Sequence, residues 1–108
     1  MVWEIVNQGA EGRDLSHTDL SYTDLYNANL TGVKLVTTLL IGTDLSRANL
    51  IGADLRNAIL IGANLRAANL SGTAVEKAEF GYNKGISVSM RRDLSDRGAI
   101  FEDSLRVR

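Results

Sequence analysis

Leucine occupies positions 15, 20, 25, 30, 35, 40, 45, 50, 55, 60, 65 and 70 without a break, and Val75 and Phe80 continue the register. A period of five fits neither ordinary element, since strand faces recur every two residues and helix faces every three or four. On a helix, residues five apart would wind around the whole surface and bury nothing continuous. Two residues before each of these positions sits something small, as at Thr18, Thr23, Ala28, Thr38, Thr43, Ala48, Ala53, Ala58, Ala63, Ala68, Thr73 and Ala78. The residue immediately before each leucine is mostly Asp or Asn. A short fixed period of this kind indicates a solenoid, in which each unit buries its apolar face only against its neighbours.

Turn chemistry supplies the geometry. In LTGV (30–33), LIGT (40–43), LIGA (60–63) and LSGT (70–73), glycine holds the third place of a four-residue turn, where a type II turn needs positive φ. A sharp corner every five residues closes a square after four, so one coil takes twenty residues. NANLTG (27–32), RANLIG (47–52) and AANLSG (67–72) recur at that interval, and LIGTDL (40–45) with LIGANL (60–65) repeats it on the adjacent side. The leucine and the small residue two before it therefore point inward on every side, and the other three positions face out.

These residues resemble the pentapeptide-repeat family, whose pattern is A(D/N)LXX. The resemblance covers residues 13–82. It implies an all-β solenoid, a right-handed quadrilateral β-helix, here of about 3.5 to 4 coils. It also implies a bacterial, and among bacteria a cyanobacterial, source; it leaves function open, because the family is functionally diverse. The pattern departs at Arg13, Val33, Lys34, Leu39, Ile59 and Ala74. Arg13 is too large for a small inward position, so the regular stack is expected to begin near Thr18.

Both ends of such a coil need cover, and both ends change composition. Residues 1–12 read as an irregular N-terminal lid: Ile5 and Ala10 keep the register, but Trp3 is too large for an inward alanine site. Residues 83–108 read as a C-terminal capping helix and tail. Within them SVSMRRDLSDRGAIF (87–101) predicts a short helix capped by Ser87 or Ser89, with Met90 and Leu94 on one face and Gly98 as its stop. Ile100 and Phe101 would then press onto the last coil, and EDSLRVR would fray.

Chemistry is sparse. The chain has 108 residues, enough for one small domain, and no cysteine, so it has no disulfide framework, thiolate metal site or thiol nucleophile. Its formal charge of −1 gives no bulk attraction to nucleic acid. No basic region followed by an apolar run opens the sequence, and no stretch is apolar enough to span a membrane, so a cytoplasmic domain is expected. His17, the single histidine, stands at an outward position with no second ligand for zinc. The glycines recur at corners, where turn geometry accounts for them, and no phosphate loop is present. Asp24 and Asp44 share an outer column, but calcium needs six to eight oxygens, and capping of their own corners is the simpler role. Asn29, Asn49 and Asn69 form another column, expected to bond along the stack as an amide ladder. No cofactor, metal or catalytic set is assigned.

The outer surface has one anomaly. Leu39 and Ile59 replace the expected Asp or Asn, and Ile41 and Ile61 stand just past the inward leucines of the same two rungs. Gly42 and Gly62 lie alongside, with Tyr22 and Tyr82 in the same column above and below them. A contiguous apolar patch on a small protein marks a contact, with a partner or with the chain's own tail, and both occupants stay open here. The leading expectation is a non-enzymatic protein-interaction or scaffold module with an unknown protein partner. It would act without nucleic acid or membrane, and a homodimer through the apolar face or an open coil end is a further option. The alternative, carried by the resemblance, is inhibition or protection of a type II topoisomerase (gyrase) by DNA mimicry. Against it, residues 13–82 hold seven acidic and six basic side chains rather than a strongly acidic surface.

Overall fold

The computed structural model describes residues 9–103. Its backbone is a stack of square coils. Every fifth residue from Gly12 to Tyr82 has positive φ. At most corners the inward leucine's carbonyl accepts from the N–H three residues on, as in Leu25 to Ala28 (3.1 Å) and Leu30 to Val33 (3.1 Å). Between corners only about one residue per side pairs with the next coil, always in parallel and always twenty residues on: Asp14 with Lys34, Leu39 with Ile59, Asp44 with Asn64, Asn49 with Asn69.

Glycine takes six of these corners from residue 12 to 72, where the left-handed region carries no Cβ penalty. Nine other corners are held by residues with side chains at φ between 56° and 64°, including the β-branched Thr37 and Ala67. Tolerance of that conformation comes from outside the corner. Most such N–H groups are taken by the next stretch of chain along the stack, as Thr37 donates to the Arg56 carbonyl (3.0 Å) and Arg47 to that of Arg66 (2.8 Å), while Tyr82 donates to the Asp103 carboxylate and Ala67 has no partner among the described residues.

The interior is built as the repeat predicts. Leu25, Leu30, Leu40, Leu45, Leu50, Leu55 and Leu60 are fully buried, and Ala28, Ala48, Ala53, Ala58 and Ala63 line the corners between them. Val33 fits an alanine site without exposure, so that departure from the pattern is absorbed. Buried threonines keep their hydroxyls satisfied on leucine carbonyls of the coil below: Thr38 donates to Leu15 (3.1 Å) and Thr43 to Leu20 (2.8 Å).

The stack begins earlier than Thr18. Ala10 donates to the Asn29 carbonyl and Gly12 to that of Thr31, and Ala10 is buried. Arg13 does not block this start, because its side chain stays exposed rather than entering the interior. Trp3 and Ile5, the core of the expected lid, lie outside the described residues.

After Phe80 the chain changes its means of closure. Strand β1 (Glu79–Phe80) precedes helix α1 (Val88–Asp96), and β2 (Ile100–Phe101) returns to pair with β1 in parallel. Ser87, not Ser89, is the N-cap, its hydroxyl accepting from the Met90 N–H (3.0 Å). Leu94 is wholly buried on the last coil, Met90 and Ile86 are partly so, and Gly98 (φ 102°) ends the helical segment. Phe101 stacks on Phe80 with ring centroids 5.2 Å apart, and the Arg91 guanidinium sits 4.5 Å over its ring. Ile100 departs from expectation: it is 41% exposed, because adjacent strand residues face opposite ways and Phe101 takes the inward one.

The expected amide ladder does not form. The Asn29, Asn49 and Asn69 oxygens each accept the N–H two residues on, at Thr31, Ile51 and Ser71. A local Asx turn directs each oxygen to its own corner rather than to the neighbouring rung.

Candidate protein-contact face

Four sides follow from the four inward columns, and the side centred on Leu20, Leu40, Leu60 and Phe80 carries the anomalous residues. Its outer column runs Asp19, Leu39, Ile59, Glu79 and Ile100, each paired in parallel with the next. Alternation about the inward leucines puts Ser21, Ile41, Ile61 and Gly81 beside them, also outward. Leu39, Ile41, Ile59 and Ile61 are therefore brought together as a two-rung apolar island, each side chain half-buried by its neighbours. The island is bounded by Asp19 at one end and by Glu79 and Glu102 at the other.

The two tyrosines stand at corners of this side rather than on it. Tyr22 is 78% exposed, yet its ring packs against Gly42: a Cβ at Gly42 would meet Tyr22 Cε1 at 2.6 Å. Glycine at 42 thus serves two ends, the positive φ of the corner and the seat of the tyrosine ring. Tyr82 is also exposed, and its N–H donates to the Asp103 carboxylate (3.1 Å).

Asp103 fastens the tail. It accepts from Arg91 Nη2 at 2.7 Å, and the guanidinium followed by the Tyr82 N–H holds its carboxyl below the usual range. Two residues that sequence reasoning passed over thereby complete the side. Ile100 adds an apolar outward position in a fifth rung, and Glu102 adds an acidic rim. A signal for this rung was present: Ala99-Ile100-Phe101 echoes Ala78-Glu79-Phe80, but at a spacing of 21 that a strict twenty-residue register misses. Ala99 (9% exposed) and Phe101 (6%) fill the two inward sites of that rung.

The acidic residues make no stripe. Asp14 and Asp54 share one column with Lys34 between them, Asp19 stands on the island's side, and Asp24 and Asp44 stand on a third. Each caps a corner instead. The Ser16 and Ser21 N–H groups, then their hydroxyls, hold Asp14 and Asp19 below the usual carboxyl range. The Ser46 hydroxyl does the same for Asp44, and the Arg56 guanidinium, 2.7 Å away, for Asp54. Asp24 accepts from the Tyr26 N–H (3.0 Å), so the Asp24–Asp44 pair is occupied with turn capping. Among the described residues no three His, Asp or Glu side chains converge as a metal site, and His17 is an exposed left-handed corner. No helix among them is long and apolar enough to cross a membrane.

Square coils twenty residues long, with capped left-handed corners and a leucine–alanine interior, define a repeat solenoid. The family model for pentapeptide repeats matches residues 14–47 and 38–73 in 8 copies, and the chain belongs to that family. A pentapeptide repeat protein of Nostoc Pcc 7120 of known structure is 39% identical over 86% of this chain and 75% of its own, with a TM-score of 0.73. The pentapeptide repeat protein Rfr23 of the cyanobacterium Cyanothece 51142 is 40% identical over 67% of this chain but only 46% of its own, with a TM-score of 0.59. These relatives imply a right-handed quadrilateral β-helix. None of the curated proteins compared with the chain matches it.

Proposed function

We propose that this chain is a non-enzymatic protein-binding module whose contact face is the side centred on Leu40 and Leu60. One observation carries the reading. The tail could have folded over Leu39, Ile41, Ile59 and Ile61; instead β2 pairs edge to edge with β1 and prolongs the side by a rung. The described tail thus leaves the island open and adds Ile100 to the same outward surface. An open apolar patch of this kind on a small domain marks a contact. The rigid backbone of the coils supports it, because a preformed flat face loses little entropy on binding.

The charges at the two ends favour a different protein over a second copy. In a two-fold pairing through this face Asp19 of one copy would meet Glu79 and Glu102 of the other if the axis runs across the stack, and Asp19 of the other if it runs along it. Like charges across an interface oppose such a pairing. The face suits a partner with an apolar centre flanked by Lys or Arg. No specific observation favours DNA mimicry, since the aspartates are spread over three sides and interrupted by Lys34.

The test is a photo-reactive side chain in place of the exposed Tyr22, at the corner of the same side, used to cross-link the partner in extracts of the source organism from the otherwise wild-type chain and from the Ile41→Asn, Ile61→Asn double variant. The reading predicts one dominant product, lost in the double variant, with a nearly unchanged melting temperature. Cross-links that persist in the double variant, or a wild type that dimerises through this face, would refute it.

A further inference from the structure

Among the described residues, three of the four sides at the end of the solenoid are continued by chain, and one is not. On the Leu25–Leu45–Leu65 side, Lys84 pairs with Asn64 as a further rung. On the Leu20–Leu40–Leu60 side, β2 does so. On the Leu15–Leu35–Leu55 side, Lys77 donates to the Gly98 carbonyl (2.8 Å), and Arg97 Nη1 donates to that of Thr73 (2.7 Å), where the next coil's N–H would otherwise stand. The remaining side, residues 67–72, has no further rung among the described residues, because the chain that should form it has become α1.

The repeat says which groups are left over. One coil earlier, Leu50 donates to the Asn69 carbonyl, Gly52 to that of Ser71, and the Ala48 carbonyl accepts from Asn69. The equivalent groups of the last coil are the Leu70 and Gly72 N–H and the Ala68 carbonyl, and among the described residues none of the three has a partner. Beside them lies a groove of about 990 Å³ between this edge and α1, walled by Ser89, Met90, Asp93 and Arg97. Its floor is apolar, since Ala68 (9% exposed) and Leu70 (6%) are less completely covered than their counterparts Ala48 (1%) and Leu50 (0%).

We propose that this edge binds an extended peptide segment of a partner protein, added in parallel as the missing rung. Strand addition to an open edge takes its affinity from main-chain bonds and its selectivity from alternate side chains. Here the register is dictated by the stack. The segment's residue over Asn69 would donate to the Ala68 carbonyl and accept from Leu70, and its residue over Ser71 would accept from Gly72. The side chain between those two would continue the column Leu30, Leu50, Leu70, so it must be apolar, with a small residue two before it. One side of the square coil spans five residues from corner to corner, so the added segment is about that length. This site is separate from the apolar island and does not depend on it.

The probe is the capped peptide Ac-AANLSG-NH2, a copy of the chain's own last rung on that side, titrated to millimolar concentration into ¹⁵N-labelled full chain. The expected result is saturable shifts confined to the Leu70 and Gly72 amides and the groove residues, with slowed exchange at those two amides. N-methylation of the peptide's Asn nitrogen removes the bond to Ala68 and should weaken binding at least tenfold. Ser89→Trp, on an exposed position of the groove wall, should do the same, whereas Ile41→Asn with Ile61→Asn should change nothing. Absence of shifts at Leu70 and Gly72, shifts on another side, or binding indifferent to N-methylation and to Ser89→Trp would each overturn the proposal.

Discussion

Replacing alanine by glycine ordinarily destabilises a folded segment, and at position 67 it should do the reverse. Ala67 sits at an exposed corner with φ at 58°. For a residue with a Cβ that conformation costs about 1–2 kcal/mol. Glycine removes this cost, while its greater freedom in the unfolded chain takes back about 0.4–1 kcal/mol. The net expectation for Ala67→Gly is a gain of about 0.5–1 kcal/mol, a rise of roughly 2–8 °C in a domain of this size. The reciprocal change supplies the control. Gly52 has φ at 69°, and an added Cβ there would meet nothing within 4 Å, so Gly52→Ala isolates the backbone effect and should lose about the same amount. Thr37→Gly should gain at least as much as Ala67→Gly, because β-branching aggravates the left-handed conformation. Thermal melts by circular dichroism, repeated in urea to obtain a common slope, measure all three. If Ala67→Gly lowers stability as it would in a helix, the corners are not left-handed in solution and the square coil is wrong.

Other substitutions probe other parts of the stack. Leu50→Asp should unfold the domain, because it places a charge in a closed column, while Asp54→Ala, which removes a half-exposed bridge to Arg56 and one turn cap, should cost about 1 kcal/mol; equal losses in melting would contradict the inward and outward assignment. Asn83 stands in for a missing rung, donating Nδ2 to the Leu60 (2.7 Å) and Ala63 (2.9 Å) carbonyls and accepting from Gly81. Asn83→Ala should therefore cost about 2–3 kcal/mol and speed amide exchange at Gly81 and Tyr82. Stability should also fall in acid. The carboxyls of Asp14, Asp19, Asp44, Asp54 and Asp103 lie lower in the folded chain than in the unfolded one, so their contribution is complete above the unfolded value near about 4 and is lost as pH drops through the folded ones. Melts should be flat between about pH 5 and 7 and fall below about pH 4; a decline beginning near pH 6 would point to another group.

The coil was legible in the sequence because its cause is local and repeated. A leucine every five residues, a small residue two before it, and glycine at recurrent corners specify one backbone geometry, and the twenty-residue echo of NANLTG, RANLIG and AANLSG fixes the register of one coil on the next. The same regularity made the island readable, since any apolar residue at an outward site stands out against the pattern. What the repeat could not specify was its own ending. Whether residues 83–103 would cover Leu39 and Ile59 or lengthen their side depends on how Phe101 and Leu94 find the last coil. It depends equally on Arg91, Arg97 and Asp103 supplying bonds in place of absent rungs. Those contacts join residues twelve to twenty-four positions apart with no periodicity to announce them, and the one-residue slip between Phe80 and Phe101 hides even the repeat they contain. The bare edge at 67–72 has the same origin: a repeat writes each rung alike, and only the three-dimensional course of the chain leaves one rung unpaired.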